Sequence, residues 1–200
     1  MDKTKIECFN KLYSDNTMWK QNESYSGPGS DLKNTDYLIK NLPLFLEKNN
    51  IKSIVDVPCG DFNFMKHIDL KDIKYRGYDI SQNCINMCQK YKKDNITFQV
   101  LDITNQIIPQ VDLVIVKDLF LHLSFQDINK ALDNILKSKP KYLAVSKYPQ
   151  NEKNIDMDTG FGCRVIDITN PPFNINYPIV DRIIYSHNYN GDELIFMQVN

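Results

Sequence analysis

Hydrophobic positions along the chain switch repeatedly between two periods. Short β-branched runs alternate with stretches whose apolar residues recur every three to four positions, a pattern that predicts a parallel sheet with helices on both faces. After an irregular N-terminal arm, Leu32 to Lys48 reads as a helix with Leu38, Leu42, Phe45 and Leu46 on one stripe and Pro43 as a candidate kink. Strands are predicted over Ile51 to Val57, Lys74 to Ile80, Ile96 to Leu101, Val111 to Val116 and Tyr142 to Lys147. Further helices fall at Phe62 to Ile68, at Gln82 to Lys92 behind a Ser81 cap, and at Phe125 to Lys137 behind Ser124. The periodicity fails over Tyr148 to Tyr177, a stretch rich in Asn, Pro, Asp and Gly that suits a functional loop. Pro178 to Ser186 and Glu193 to Val199, joined through Asn190-Gly191, read as a terminal hairpin.

The fold class that follows is α/β: a Rossmann-like, doubly wound, mostly parallel sheet of about seven strands ending in an antiparallel C-terminal hairpin. The 200 residues suit one domain, 1–200, divided into an N-terminal arm or lid (1–31), a cofactor-binding core (32–147), an acceptor-side loop (148–178) and the hairpin (179–199).

Charge narrows the partners. Lys and Arg total 24 against 25 for Asp and Glu, so no broad positive field exists and no nucleic-acid partner is expected. The local runs Lys90, Lys92, Lys93 and Lys137, Lys139, Lys141 read as solvated helix ends. No apolar run approaches the roughly 18 residues of a membrane span, and the N-terminus lacks an apolar signal region; a cytoplasmic protein with no membrane partner is expected. The five cysteines are odd in number and lack C-x-x-C spacing, which argues against a disulfide framework and a closed zinc site. Cys84 and Cys88, one helical turn apart, read as buried apolar residues, and no metal is assigned.

Chemistry concentrates at predicted strand ends. The run Ile54 to Asn63 delivers a strand into a tight turn at Gly60, the place where open α/β sheets bind ligands. Asp56, Asp79, Asp102 and Asp118 stand at the carboxyl ends of four successive predicted strands and would converge on one rim. The G-x-G-x-x-G signature is absent, and Asp61 in the turn would repel a diphosphate, which disfavours an NAD-dependent oxidoreductase. An acid-lined turn suits a ligand carrying a sulfonium and an ammonium.

Asp56 to Phe62, Asp79, Asp102-Ile103 and the strand ending in Lys117-Asp118, in this order and spacing, resemble the motifs of class I S-adenosylmethionine-dependent methyltransferases. Pro58 and Phe62 stand where the glycine-rich motif of that family has its flanking glycines. The strings Gly27-Pro28-Gly29-Ser30, Asp56 to Met65 with its Pro-Cys-Gly-Asp core, and His122 to Ile128 resemble a small subset found in bacteria and large viruses, in which the position of Phe64 is commonly Trp. The resemblance implies S-adenosylmethionine as cofactor. Asp56 and Gly60 would lie against its methionine part, Asp79 would accept from the ribose hydroxyls, Asp102 with Ile103 would contact adenine, and Lys117 with Asp118 would sit beside the sulfonium, with Pro58 and Ile80 also binding the cofactor.

Methyl transfer needs alignment and, for a hydroxyl acceptor, a base. Asp118 and His122 are four residues apart, so in a helical turn they face the same way; His122 is the candidate base with Asp118 orienting it, or else a packed core histidine. His67 and His187 suit surface positions. Arg164, beside Gly160 and Gly162, is a candidate grip on the acceptor or a structural partner of a nearby Asp, and Trp19 and Tyr25 place aromatics on the lid, Tyr25 toward the acceptor. Asn170-Pro171-Pro172-Phe173 follows the wrong strand to signal amide or adenine methylation. The expected acceptor is a small hydroxylated molecule or glycan unit, methylated on oxygen; the alternative is a non-catalytic cofactor-binding partner in a methyltransferase complex.

Overall fold

A computed structural model describes residues 3–14, 23–149, 153–160, 162–186 and 191–200, which leaves Trp19 and His187 outside the described residues. Seven strands form one sheet in the order β3-β2-β1-β4-β5-β7-β6: β1 (Ser53–Asp56), β2 (Lys74–Asp79), β3 (Ile96–Val100), β4 (Leu113–Val116), β5 (Tyr142–Lys147), β6 (Ile179–Ser186) and β7 (Asp192–Gln198). The first five run parallel, with Ile54 beside Tyr75 on one side and Leu113 on the other. β7 inserts antiparallel between β5 and β6, so the hairpin closes one edge of the sheet.

Alternation along the buried strands divides the core into two layers. Ile54, Leu113 and Ile115 pack with Leu38, Leu42, Phe45 and Leu46 of α2 (Leu32–Lys48) on one face. Val55, Val114 and Val116 pack with Ile128, Ala131, Leu132 and Ile135 of α4 (Phe125–Lys137) on the other. Both serine caps form: Ser81 Oγ accepts from the Cys84 N–H at 3.2 Å ahead of α3 (Gln82–Cys88), and Ser124 Oγ from the Asp127 N–H at 3.2 Å.

Two elements differ from the pattern reading. The expected helix over Phe62 to Ile68 is a single 3-10 turn, Met65–His67, because Phe62 sits at φ 61°, outside helical space. The N-terminal arm is not wholly irregular, since Lys3–Ser14 forms α1, which packs on α3. Asn10 of α1 fixes that contact: its Oδ1 accepts from Ser81 Oγ at 2.7 Å, and its carbonyl accepts from Asn83 Nδ2 at 3.3 Å.

Candidate active site

The turn after β1 is held by backbone bonds, Val57 N–H to Ile115 O at 2.9 Å and Cys59 N–H to Tyr78 O at 2.8 Å. Gly60 takes φ 54°, and a Cβ there would fall 2.4 Å from Ser26 Oγ, so both dihedral and space require glycine. Ser24 to Ser26 approach this turn because Asp61 accepts from Ser24 Oγ (3.0 Å), the Tyr25 N–H (2.8 Å) and Ser26 Oγ (3.2 Å). The Asp61 charge therefore ties the arm to the turn; it does not line the cavity.

A cavity of about 130 Å³ lies at the carboxyl ends of β1, β2 and β4, and Asp56, Pro58, Gly60, Asp79, Ile80, Lys117, Asp118 and His122 all line it. Phe9, Leu12 and Tyr13 of α1 cover it, with Ser26, Ser30, Cys59, Phe64 and Leu119 completing the wall. Burial pushes the Asp56 carboxyl up to about 7, against the lowering effect of a 2.5 Å bond from Tyr75 OH. Burial likewise raises Asp79 to about 6, although its Oδ1 accepts from the Ser81 N–H at 2.9 Å.

Asp118 occupies the left-handed region at φ 54° and gathers donors from three segments. Its Oδ1 accepts from Ser146 Oγ (2.9 Å), Tyr148 OH (2.8 Å) and Tyr185 OH (2.8 Å), and its Oδ2 pairs with Lys117. Burial alone would raise this carboxyl, but the Lys117 ammonium and the two phenols hold it below the usual carboxylate range. Lys117 also donates to Gly29 O at 2.9 Å and lies 4.5 Å from the Tyr185 ring centre, so the arm, β4 and β6 meet at one ion pair.

His122 reaches the same cavity by another route. Its Nδ1 lies 2.9 Å from Gly162 O; a carbonyl only accepts, so Nδ1 carries the proton and Nε2 keeps its lone pair. Burial lowers the imidazole pKa below its ordinary value, opposed by Gly162 and Asp118. The expected orientation of His122 by Asp118 is corrected here: the carboxylate is committed to Lys117, Ser146, Tyr148 and Tyr185, and the Gly162 carbonyl sets the ring.

Four other expected residues stand elsewhere. Asp102 is a buried turn-former that accepts from the Thr104 N–H and Oγ1 (3.0 and 2.7 Å) and Asn105 Nδ2 (2.5 Å), while Ile103 belongs to the α4-side core; neither lines the cavity. Arg164 spends its guanidinium on the carbonyls of Ile155 (2.9 Å), Phe120 (2.7 Å) and Leu123 (2.5 Å), so it braces the loop against the segment carrying His122. Tyr25 meets the turn through its backbone and does not line the cavity. Sequence reasoning missed Phe9 and Tyr13, although Ile6, Phe9 and Tyr13 at i, i+3 and i+7 carry a helical signal. It also missed the phenols of Tyr148 and Tyr185, which no local pattern connects to Asp118.

Residues 55–141 match the family model described as a methyltransferase domain. No protein of curated function matches the sequence significantly. Among solved structures, the N-methyltransferase NodS from Bradyrhizobium japonicum WM9, in complex with S-adenosylhomocysteine, is 12% identical over 97% of each chain with a TM-score of 0.69. Magnesium protoporphyrin IX methyltransferase from Synechocystis PCC 6803, with bound S-adenosylhomocysteine, is 12% identical over 98% of this chain and 94% of that one, with a TM-score of 0.63. The methyltransferase domain of bacterial CtHen1-C is 15% identical over 59% of this chain and 67% of that one, with a TM-score of 0.51. Strand order, cavity position and these likenesses agree: this chain has the seven-stranded Rossmann-like α/β fold of the methyltransferases.

Proposed function

We propose that this protein is an S-adenosylmethionine-dependent methyltransferase that methylates a hydroxyl of a small molecule or glycan unit, with His122 as the base. The observation that carries the reading is the composition of the cavity wall: three carboxyl groups, one lysine already paired with Asp118, and an imidazole with Nε2 unprotonated. That set is hostile to a diphosphate and suits a ligand carrying a sulfonium and an ammonium. Asp79 would accept from ribose hydroxyls, and Gly60 would let the backbone approach the methionine part. The cofactor supplies a methyl group already activated by positive sulfur. The protein's task is then to align the acceptor, exclude water and take the hydroxyl proton, which His122 Nε2 can accept while Gly162 O holds the ring.

The arm 1–31 acts as the lid in this reading. The cavity of about 130 Å³ is smaller than the roughly 300 Å³ at the low end of ligand pockets, and α1 forms its cover. Tyr13 OH to Ser26 Oγ (3.1 Å), Asn10 to Ser81, and Lys5 to Asp127 (2.5 Å) pin α1 across the opening, so cofactor entry requires α1 to swing away. Calorimetric titration of the purified protein with S-adenosylmethionine, S-adenosylhomocysteine and NAD tests the cofactor assignment. The first two should bind and NAD should not; NAD binding alone would overturn it. Turnover to S-adenosylhomocysteine across a panel of hydroxylated metabolites and sugars, compared with amines, tests the acceptor class.

A further inference from the structure

Behind the turn after β1, two thiols converge on one carbonyl. Cys88 Sγ donates to Gly60 O at 3.2 Å and Cys59 Sγ to the same oxygen at 3.5 Å. Cys84 stands on the same helix as Cys88, and the three thiols and Asp79 influence one another's ionisation. Cys84 and Cys88 are wholly buried on one face of α3, while Cys59 is 5% exposed and lines the cavity. The sulfurs thus touch Gly60, one of the groups expected to hold the cofactor, and the cavity that Cys59 lines opens this pair to small solutes. Among the described residues no group of three or more His, Cys, Asp or Glu is arranged to hold a metal ion, so thiol chemistry is what the cluster offers.

We propose that Cys59 and Cys88 form an oxidation site, at which a hydroperoxide entering through the cofactor cavity joins the two sulfurs in a disulfide that lowers cofactor affinity. Cys59 is the sulfur that lines the cavity, so a peroxide entering there meets it first, and Cys88, wholly buried behind it and sharing its acceptor Gly60 O, is the resolving thiol. Cys59 Sγ loses its proton and attacks one peroxide oxygen; the O–O bond breaks, hydroxide departs and takes up that proton to become water, and Cys59 becomes a sulfenic acid. The Cys88 thiol then attacks that sulfur, the S–O bond breaks, and the oxygen leaves with the Cys88 proton as a second water. Two thiols lose two protons and two electrons, and one hydrogen peroxide becomes two waters. Closing an S–S bond of about 2.05 Å strips Gly60 O of both thiol donors and drags the turn toward α3. The turn has no slack, since Gly60 lies against Ser26. A bound cofactor would cover Cys59, so occupancy and oxidation should exclude each other.

This inference rests on the cavity being the cofactor site. The test treats a Cys163→Ser protein, freed of its exposed thiol, with hydrogen peroxide and reads intact mass, peptide cross-links and S-adenosylhomocysteine affinity. The expected result is loss of two hydrogen atoms, a Cys59–Cys88 cross-link, and an affinity drop of at least about tenfold that dithiothreitol reverses. Saturating S-adenosylhomocysteine added first should slow the cross-link. Cys88→Ala, or Cys88→Ser if the alanine variant does not fold, should give no cross-link and keep its affinity through the treatment. Absence of the cross-link overturns the proposal, as does an equal affinity loss in the Cys88 variant. A reduced protein that never binds S-adenosylhomocysteine defeats the cofactor reading instead, while the mass measurement still reports on the disulfide.

Discussion

The two sides of the cavity are built differently. On the side proposed to hold the cofactor, Asp56 and Asp79 end β1 and β2, Gly60 and Ile80 follow those strands by a few residues, and sheet register brings them together. On the side proposed to face the acceptor, the cavity-lining His122 and Asp118 are held from outside the cavity by Gly162, Tyr148 and Tyr185, with Arg164 bracing the same loop, and these distant segments meet through side-chain-to-backbone and phenol-to-carboxylate bonds. A side fixed by register tolerates change in its loops, whereas a side fixed by scattered hydrogen bonds is individual to the chain. Mutations should separate them into affinity effects on one side and turnover or stability effects on the other.

The largest expected effect tests whether the acceptor side does chemistry. His122→Ala should lower kcat by about 10²- to 10⁴-fold with S-adenosylhomocysteine affinity nearly unchanged, since the imidazole acts on the acceptor. Burial lowers the His122 pKa, so if His122 is the base, kcat at saturating cofactor should fall only as pH drops below the ordinary imidazole range. That acid limb should vanish in His122→Gln. A folded His122→Ala protein with near wild-type turnover would remove the base and merge the two sides.

The cofactor side answers to Asp79. Asp79→Asn should weaken S-adenosylhomocysteine binding by about 1.5 to 3 kcal/mol, the range for charge-assisted hydrogen bonds, with little effect on the chemical step. In the wild type, affinity should climb as pH rises through about 6, where the buried carboxyl ionises and gains accepting strength. The same shift affects stability: the folded pKa is raised above 3.8, so the folded state holds a proton that the unfolded state has released. The cofactor-free protein should therefore lose stability as pH rises from about 4 to 6, on Asp79's account. Calorimetry at several pH values reads the affinity; a flat profile excludes Asp79 as the ribose acceptor.

Arg164 sharpens the contrast. Removing its three carbonyl bonds in Arg164→Ala should cost about 2 kcal/mol of stability, seen as a lower Tm, with acceptor KM following only through unfolding. Lysine should not rescue it, because one ammonium cannot reproduce the fork that serves Phe120 and Leu123 together. A raised acceptor KM at unchanged Tm would return Arg164 to the acceptor.

What the sequence revealed follows the same division. The strands, the serine caps and the rim acids Asp56, Asp79 and Asp118 were legible because period, cap chemistry and strand-end position are local signals. Asp102 shared that signal yet serves a turn, since Thr104 and Asn105 compete for its oxygens. The helix expected from Phe62 failed on one residue's left-handed φ, which composition does not encode. Over Tyr148 to Tyr177 no period exists to read; Asn154 and Asp167, bonded across the loop at 2.9 Å, organise it through contacts that only the folded chain creates.

The smallest effect concerns α1, which bridges the two sides. Lys5 pairs with Asp127 at 2.5 Å, and Asp127 also accepts from Thr159 Oγ1 at 2.6 Å, so one buried carboxylate ties α1 and the loop after β5 to the start of α4. Lys5→Met keeps the aliphatic stem and removes the charge. Asp127 retains Thr159 and the more distant Lys130, so the loss of stability should be about 1 kcal/mol, near the upper range for partly exposed pairs. If α1 gates the cavity, loosening this latch should speed cofactor association several-fold while equilibrium affinity falls slightly, because the closed state loses one contact. Stopped-flow fluorescence can follow entry through Trp19, the only tryptophan in the chain. High salt should reproduce little of the effect in the wild type, since the pair is largely shielded from solvent at 15% and 4% side-chain exposure. Association at the wild-type rate in a folded Lys5→Met protein would show that α1 is a fixed wall, and the cofactor would then have to enter from the acceptor side.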